Sequence, residues 1–186
     1  MSSNEELRSI ALVEFARAGY AGTSLQRIAE LAGLSKSSVL YHFASKEALL
    51  DAAIGPALER FESIVTRLEA TPADRSAFIG EFVDLLLEHT PEVNMFINQA
   101  ASLEDVLAFE RASELARRLG AYFASQTTSA LDHMRFGVAL GGAAYVMAVQ
   151  QQYQQHPLPA IEETRAALIT IVTELLSPVP VRSTIA

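Results

Sequence analysis

The segment from Thr23 to Phe43 constrains the fold of this chain more than any other part of the sequence. It contains two short helical stretches on either side of Gly33, and Ala29 lies four positions before that glycine. Two helices that cross closely need a small residue at their contact, and the turn between them needs a residue that tolerates positive φ. The segment therefore predicts a helix-turn-helix, whose apolar faces would be formed by Ile28, Ala32, Leu34 and Val39.

The remaining sequence is also helical in pattern. Good helix formers dominate, and no alternating run bounded by turn residues indicates a strand. In the first helix, which we expect to end at Gly19, Leu7, Ala11 and Phe15 form a core stripe. The sequence therefore predicts an all-α fold of about nine helices.

Helix boundaries follow from capping residues and prolines. We expect Thr23 or Ser24 to cap the second helix, Ser35 the third and Ser45 the fourth. The fourth helix should reach about Ala70, with a kink or break at Gly55-Pro56. Later helices are expected at about 74–90, 91–101, 103–125, 129–155 and 159–177, followed by a frayed tail from Pro178 onward.

Composition excludes several classes of protein. Half of the residues are hydrophobic, which indicates a globular chain, and the absence of cysteine excludes disulfides and cysteine-based chemistry. The first six residues are polar and acidic, unlike a secretory signal, and the apolar run from Phe136 to Val149 is too short to span a bilayer. We therefore expect a cytoplasmic protein without a membrane partner.

The net charge of −8 argues against a nucleic-acid partner, but its distribution weakens that objection. Residues 1–55 contain five basic and six acidic residues, so most of the net negative charge lies in the rest of the chain. Lys36 and Lys46, the two lysines of the chain, both lie at expected helix starts. A compact cation at a helix start suits contact with a phosphate.

The amino-terminal segment resembles the TetR family of regulators. The resemblance rests on Gly22-Thr23-Ser24, Ile28-Ala29, Ala32-Gly33-Leu34-Ser35 and His42-Phe43-Ala44-Ser45-Lys46-Glu47-Ala48-Leu49. It implies a helix-turn-helix DNA-binding domain at 1–46 and a ligand-binding and dimerisation domain at 47–186. It also implies a homodimer that binds a palindromic operator in double-stranded DNA, usually as a repressor, and leaves it when a small molecule binds.

Two departures from the family's pattern concern the third helix. Many members have a tyrosine where this chain has Leu40, and Ser37-Ser38 replace a stretch that commonly contains a glycine. The operator sequence therefore cannot be carried over from a relative.

Eight residues are candidates for DNA contact. Side chains early in the third helix would contact base edges, while its later side chains and the starts of the second and fourth helices would contact the backbone. The candidates are Thr23, Ser24, Lys36, Ser37, Ser38, Tyr41, His42 and Lys46. Capping alone would explain Thr23 and Ser24; Tyr41 could instead be a packed aromatic, His42 could turn inward, and Lys46 could be a solvated charge.

Two apolar helices are candidates for the dimer interface. The run Phe136–Val149 is apolar nearly all round, and its glycines at 137, 141 and 142 suggest that a neighbouring backbone comes close. In the final helix the stripe consists of Ile161, Leu168, Ile171, Val172 and Leu175. Together they could form half of a four-helix interface, or they could simply fill the core of one chain.

A ligand cavity is expected among the aromatic and thioether side chains between the two ends of the chain. The candidate lining residues are Phe78, Phe82, Met95, Phe96, Gln99 and Tyr122, with Asn94 and Asn98 as further polar groups. No effector can be named from the sequence. Each of these side chains could equally belong to the core.

Catalysis, metal binding and a cofactor are not expected. His89, His133 and His156 lack a second histidine or a carboxylate at i+4, and neither a glycine-rich phosphate loop nor a nucleophile elbow occurs. A rival hypothesis is a helical ligand-binding or interaction protein whose helix-turn-helix no longer binds DNA. The slight negative balance of the amino-terminal segment favours this rival.

Overall fold

The computed structural model describes residues 3–71, 75–103, 106–126, 129–149 and 160–177. Every regular element in these ranges is a helix. The helices are α1 (Ser3–Ala18), α2 (Leu25–Leu31), α3 (Lys36–His42), α4 (Lys46–Ala70), α5 (Arg75–Glu88), α6 (Thr90–Asn98), α7 (Ala100–Leu103), α8 (Leu107–Ser125), α9 (Ala130–Val149) and α10 (Ile161–Leu176). Because α7 is a single turn, the expected all-α fold of about nine helices is confirmed.

The helix-turn-helix is built from local interactions that the sequence predicts. Ser24, Ser35 and Ser45 cap α2, α3 and α4, and each hydroxyl accepts a backbone N–H three residues later. Gly33 has a φ of +67°, which is the left-handed conformation expected for the turn. The α1 stripe is fully buried, as are Ile28, Ala29 and Val39. Leu34 was also expected to face this core, but it is 37% exposed.

Helix α4 does not end at Gly55-Pro56. It continues from Lys46 to Ala70 with Pro56 inside it. Proline removes one helical hydrogen bond and crowds the preceding turn, but Ala53, Ala57 and Leu58 are buried around this point. Packing of this helix face therefore compensates for the local cost, and α4 links the amino-terminal helices to the rest of the chain.

Two apolar cores lie along the molecule. One joins α1–α4 to the region around Met95, Leu103 and Val106, and the other joins the second half of α4 to α5, α8, α9 and α10. Helix α6 contributes to both, because Met95 is buried in the first core and Val93 packs against the second. It thus connects the helix-turn-helix end of the molecule to the larger helical end.

The later helices differ from the sequence prediction in their bounds, in the surroundings of three glycines and in the burial of α9. The expected helices at 91–101 and 103–125 are α6, α7 and α8, while residues 150–155 of the expected 129–155 helix and the tail from Pro178 lie outside the described residues. Among the described residues of this chain, no atom lies within 4 Å of a Cβ added at Gly137, Gly141 or Gly142, so the close backbone expected at these glycines is not supplied by the described helices. Helix α9 is also not buried on most faces, because its buried residues are only Ala139, Ala143, Met147 and Ala148.

No helix among the described residues is both long and apolar enough to cross a membrane.

Candidate functional sites

Helix α3 presents a polar and aromatic face to solvent. Lys36, Ser37 and Tyr41 are exposed, and Tyr41 is 87% exposed. The opposite face carries Val39, which is fully buried against α1 and α2. A large aromatic side chain in solvent is not packed, so the alternative of Tyr41 as a core aromatic is excluded within this chain. His42 is half-buried, with its ring 5.3 Å from that of Tyr41 in an edge-to-face arrangement.

The three serines at the start of α3 form a connected group. The Ser35 hydroxyl lies 2.8 Å from the hydroxyls of both Ser37 and Ser38, and it accepts the Ser38 backbone N–H. This arrangement fixes the hydroxyl positions relative to the first turn of the helix. Ser37 and Ser38 can therefore present ordered donors and acceptors.

Cationic groups in the amino-terminal helices differ in how far they are neutralised. The Arg17 guanidinium makes a two-oxygen contact with the Glu14 carboxylate, and the Arg27 guanidinium lies 3.6 Å from the same carboxylate. Lys36 makes no hydrogen bond or ion pair with any described residue. The Lys36 ammonium is therefore available to a ligand outside the chain.

Thr23 and Lys46, both candidate phosphate contacts, have roles inside the chain. Thr23 is 3% exposed, and its hydroxyl donates to the Gly19 carbonyl at 2.8 Å. The Lys46 ammonium donates to the carbonyls of Tyr20 and Thr23 at 2.9 and 3.1 Å and lies 4.2 Å from the centre of the Tyr20 ring. Both side chains hold the α1–α2 connection in place. Ser24 is exposed but also caps α2.

A cavity of about 470 Å³ lies among α4, α5, α6, α8 and α9. Its walls are almost entirely apolar, with five phenylalanines: Phe61, Phe82, Phe96, Phe123 and Phe136. Gly120, Gly137 and Gly141 also line it, and a Cβ added at any of them would meet no atom within 4 Å. These glycines are exposed, so the cavity is open to solvent on the side of α8 and α9.

A histidine–carboxylate pair forms the main polar part of the cavity wall. The Nδ1 atom of His89 lies 2.9 Å from Oε1 of Glu92, across the first turn of α6. Both side chains are largely buried, and Glu92 is 14% exposed. On another side of the cavity, Nε2 of His133 lies 3.3 Å from the Ala124 carbonyl.

Of the six residues expected to line a ligand cavity, Phe82 and Phe96 do so. Phe78 packs behind the wall against Phe82 and Phe123, and Met95 is buried in the other core. Tyr122 does not line the cavity, although its ring lies 5.2 Å from that of Phe123, and its buried hydroxyl has no hydrogen-bond partner among the described residues.

The three candidate amides have other positions. Gln99 binds the end of α1, where its amide oxygen accepts from the Tyr20 N–H and its amide nitrogen donates to the Phe15 carbonyl. Asn94 is buried and donates to the Ala148 carbonyl, whereas Asn98 is exposed. None of the three lines the cavity.

The His89–Glu92 pair was not expected from the sequence. The sequence shows no partner for His89 at i+4, but Glu92 lies three positions away, and the two residues bracket Thr90-Pro91 at a helix start. Residues i and i+3 also share a helix face, so this spacing was a usable signal. Among the described residues, no group of three histidine, aspartate or glutamate side chains could hold a metal ion.

An exposed apolar surface runs along α9 and α10. On α9 it consists of Leu131, Met134, Val138, Tyr145 and Val146, and on α10 of Ile161 and Ile171. Leu168 and Val172, from the stripe expected on α10, are instead buried in the core of this chain. The final helix therefore has apolar side chains both in the core and in solvent.

The fold and these sites define an all-α protein with an amino-terminal helix-turn-helix and a separate cavity among its later helices. Residues 7–53 match the family of bacterial regulatory proteins, tetR family. The match covers the helix-turn-helix and the first part of α4.

Curated sequence relatives match about half of the chain. The HTH-type transcriptional regulator RutR of Escherichia coli (strain K12) is 38% identical over 87 residues, which are 47% of this chain and 41% of RutR. RutR of Shigella flexneri matches to the same extent. The matched segment thus spans about two fifths of the length of these curated relatives.

Solved structures share the fold over nearly the whole chain. SCO3833, a TetR family member from Streptomyces coelicolor A3, has a TM-score of 0.68 at 22% identity and covers 94% of this chain and 90% of its own. The ketosteroid transcriptional regulator KstR2 of Mycobacterium tuberculosis has a TM-score of 0.66 at 18% identity, covering 93% and 94%. At these identities the likeness concerns the fold alone.

Proposed function

We propose that this protein is a dimeric, sequence-specific DNA-binding transcriptional regulator, a repressor that a small molecule releases from its operator. The observation that carries this proposal is the exposed face of α3, where Lys36 and Tyr41 lie in solvent opposite the buried Val39. The recognition helix of a helix-turn-helix places such a face in the major groove. We retain 1–46 as the DNA-binding domain and 47–186 as the ligand-binding and dimerisation domain.

The apolar surface of α9 and α10 supports dimerisation through these helices. Large apolar side chains in solvent over two adjacent helices are typical of an interface between subunits. A second copy of the same surface would give a four-helix contact with twofold symmetry. Such a dimer would bind a palindromic operator, because each recognition helix would read one half-site.

Fluorescence anisotropy with duplexes from the DNA upstream of the protein's own gene, and with a random duplex library, tests the proposal. Counterion release requires affinity to fall steeply as salt is added. Ser38→Ala should change which duplex is preferred, whereas Ser9→Ala, an exposed serine on α1, should not. Absence of salt-sensitive binding to every duplex would overturn DNA binding and favour a helical ligand-binding protein.

Repression and release need a separate readout. A reporter driven by the bound promoter should be less active when the protein is present, and a compound that occupies the cavity should restore its activity. An increase of reporter activity by the protein alone would contradict repression without contradicting DNA binding.

A further inference from the structure

The charge of the cavity wall constrains what the cavity can bind. Glu92 is the one carboxylate among the described lining residues, and neither a lysine nor an arginine is among them. The carboxylate is 14% exposed, and His89 is its hydrogen-bond partner. The Glu92 carboxylate would repel a second anion in this apolar space, because charges interact strongly in a medium of low dielectric constant.

The hydrogen-bonding capacity of the pair favours a donor. The carboxylate of Glu92 only accepts hydrogen bonds, and the one that it shares with His89 leaves further lone pairs free. An ammonium group supplies both several donors and the opposite charge. Five phenylalanine rings in the same walls add aromatic faces, which attract cations.

The size and polarity of the cavity define the rest of the ligand. A volume of about 470 Å³ lies within the range of small-molecule sites. Because the other walls, apart from His133, are alanine, leucine, isoleucine, valine and glycine, most of the ligand must be hydrocarbon or aromatic. We propose that the cavity binds a hydrophobic amine, with its cationic nitrogen at Glu92 and His89 and its apolar body among the phenylalanines. This inference rests on the proposed function, since it names the chemical class of the effector.

Three compounds with the same alkyl chain isolate the contribution of charge. Decylamine, decanol and decanoate differ only in the terminal group, which at pH 7 is cationic, neutral or anionic. Isothermal titration calorimetry with the full chain, below the concentration at which each compound forms micelles, measures their dissociation constants. Decylamine should bind at least about ten-fold more tightly than decanoate, with decanol between them.

A matched pair of glutamate variants tests the role of the carboxylate. Glu92→Gln should reduce the preference for decylamine over decanoate by about ten-fold. Glu88→Gln should retain the preference, because Glu88 pairs with Arg60 and does not line the cavity. Equal affinity of the unaltered protein for the amine and the carboxylate would overturn the proposal, as would an unchanged preference in Glu92→Gln.

A pair of glycine variants tests the location independently of Glu92. Gly141→Leu fills the cavity, and Gly80→Leu adds the same side chain to a helix outside it; neither added Cβ meets an atom within 4 Å. Decylamine binding should fall at least about ten-fold in Gly141→Leu and persist in Gly80→Leu. Equal binding by both variants would place the amine elsewhere on the protein.

These measurements contain no DNA and therefore separate the two proposals. Selective amine binding together with no salt-sensitive DNA binding would retain the cavity assignment and overturn the regulator. DNA binding without amine selectivity would do the reverse. If both hold, adding decylamine to the protein–DNA complex should lower the anisotropy of the labelled duplex.

Discussion

The side-chain oxygen of Gln99 accepts a hydrogen bond of 2.8 Å from the backbone N–H of Tyr20, which lies 79 positions earlier in the chain. The amide nitrogen of the same side chain donates to the Phe15 carbonyl at 2.9 Å. Gln99 thus joins the end of α6 to the connection between α1 and α2. Since α6 also carries Glu92 and Phe96 into the cavity wall, one helix contacts both the cavity and the helix-turn-helix end of the molecule.

Gln99→Ala should lower the free energy of unfolding by about 1–3 kcal/mol, because the partly buried Tyr20 N–H would have no acceptor. Asn98→Ala is the control, since Asn98 is exposed and its side chain makes no hydrogen bond with a described residue. Urea unfolding followed by circular dichroism measures both. In the ligand assays, Gln99→Ala should leave decylamine affinity unchanged while weakening the effect of decylamine on DNA binding. An unchanged effect would mean that α6 does not transmit ligand binding through this residue.

The two lysines should behave differently when each is replaced by methionine. Lys46→Met removes the donor to two backbone carbonyls and should lower stability by about 1–2 kcal/mol, whereas the exposed Lys36→Met should change it by less than about 0.5 kcal/mol. In anisotropy titrations Lys36→Met should reduce the slope of log affinity against log salt by about 0.9 for each phosphate that the lysine neutralises in the unaltered protein. If Lys46→Met instead reduced the salt slope and Lys36→Met lowered stability, Lys46 would have to leave the two carbonyls in order to bind DNA.

Tyr41→Ala should weaken binding to the preferred duplex while leaving stability within about 0.5 kcal/mol, because the side chain is 87% exposed. Tyr41→Phe separates the ring from the hydroxyl, and it should retain binding if the ring makes the contact. Thermal unfolding and anisotropy measured on the same preparations distinguish the two effects. A stable Tyr41→Ala variant with unaltered affinity would remove Tyr41 from the DNA interface.

Val138→Glu should dissociate the proposed dimer, because it places a charge in the middle of the apolar surface on α9. Val13→Glu is the matched control: Val13 is 57% exposed and Val138 is 61% exposed, but Val13 lies on α1. Sedimentation velocity should show a monomer for Val138→Glu alone. A dimer that survives Val138→Glu, or a monomeric unaltered protein, would contradict an interface at this surface.

Asp84→Asn should remove a pH-dependent contribution to stability. The hydrogen-bonded Arg165 guanidinium, at 2.5 and 2.9 Å from the two carboxylate oxygens, lowers the pKa of Asp84. A folded-state pKa below the unfolded value of about 3.9 stabilises the protein above that value, and this stabilisation is lost as the pH falls through the folded-state pKa. We expect a difference of about 1 kcal/mol between the proteins at pH 7, because the pair is partly exposed.

Urea unfolding of both proteins from pH 7 to pH 3 measures this dependence. The difference in unfolding free energy should be constant above about pH 5 and should shrink below about pH 4. A double-mutant cycle with Arg165→Met isolates the pair from other effects of either substitution. A difference that grows on acidification would contradict the direction of the Asp84 shift.

The local features of the helix-turn-helix were accessible from the sequence because each depends on neighbouring residues. The Ser35 hydroxyl caps α3 by accepting a backbone N–H only three residues later, and Gly33 has a positive φ within its own turn. The core stripe of α1 follows from helical periodicity alone, and its three residues are fully buried. These interactions span only a few positions, so they do not depend on how distant helices pack.

The sites that depend on tertiary packing were not accessible in the same way. Lys46 was expected to contact phosphate, but its ammonium is directed to carbonyls more than twenty positions earlier. Gln99 was expected to line the cavity, but the packing of α6 against α1 takes it to the Tyr20 backbone. The sequence identified these side chains as polar and able to donate hydrogen bonds, and the distance between helices decided which partner they reached.

The sequence by itself determined that the chain is helical and that Thr23 to Phe43 forms a helix-turn-helix, since capping, turn conformation and periodicity are local. In the final helix, only the tertiary structure decided which apolar residues face inward. Leu168 and Ile171 belong to one stripe in the sequence, yet Leu168 is buried and Ile171 is exposed. Apolar side chains lower the free energy when they leave water, whether they fill a core or contact a second chain. Hydrophobicity therefore does not distinguish a core residue from an interface residue. The packing of α10 against α5 and α9 makes that distinction, and the arrangement of α4, α5, α6, α8 and α9 creates the cavity with Glu92 in its wall.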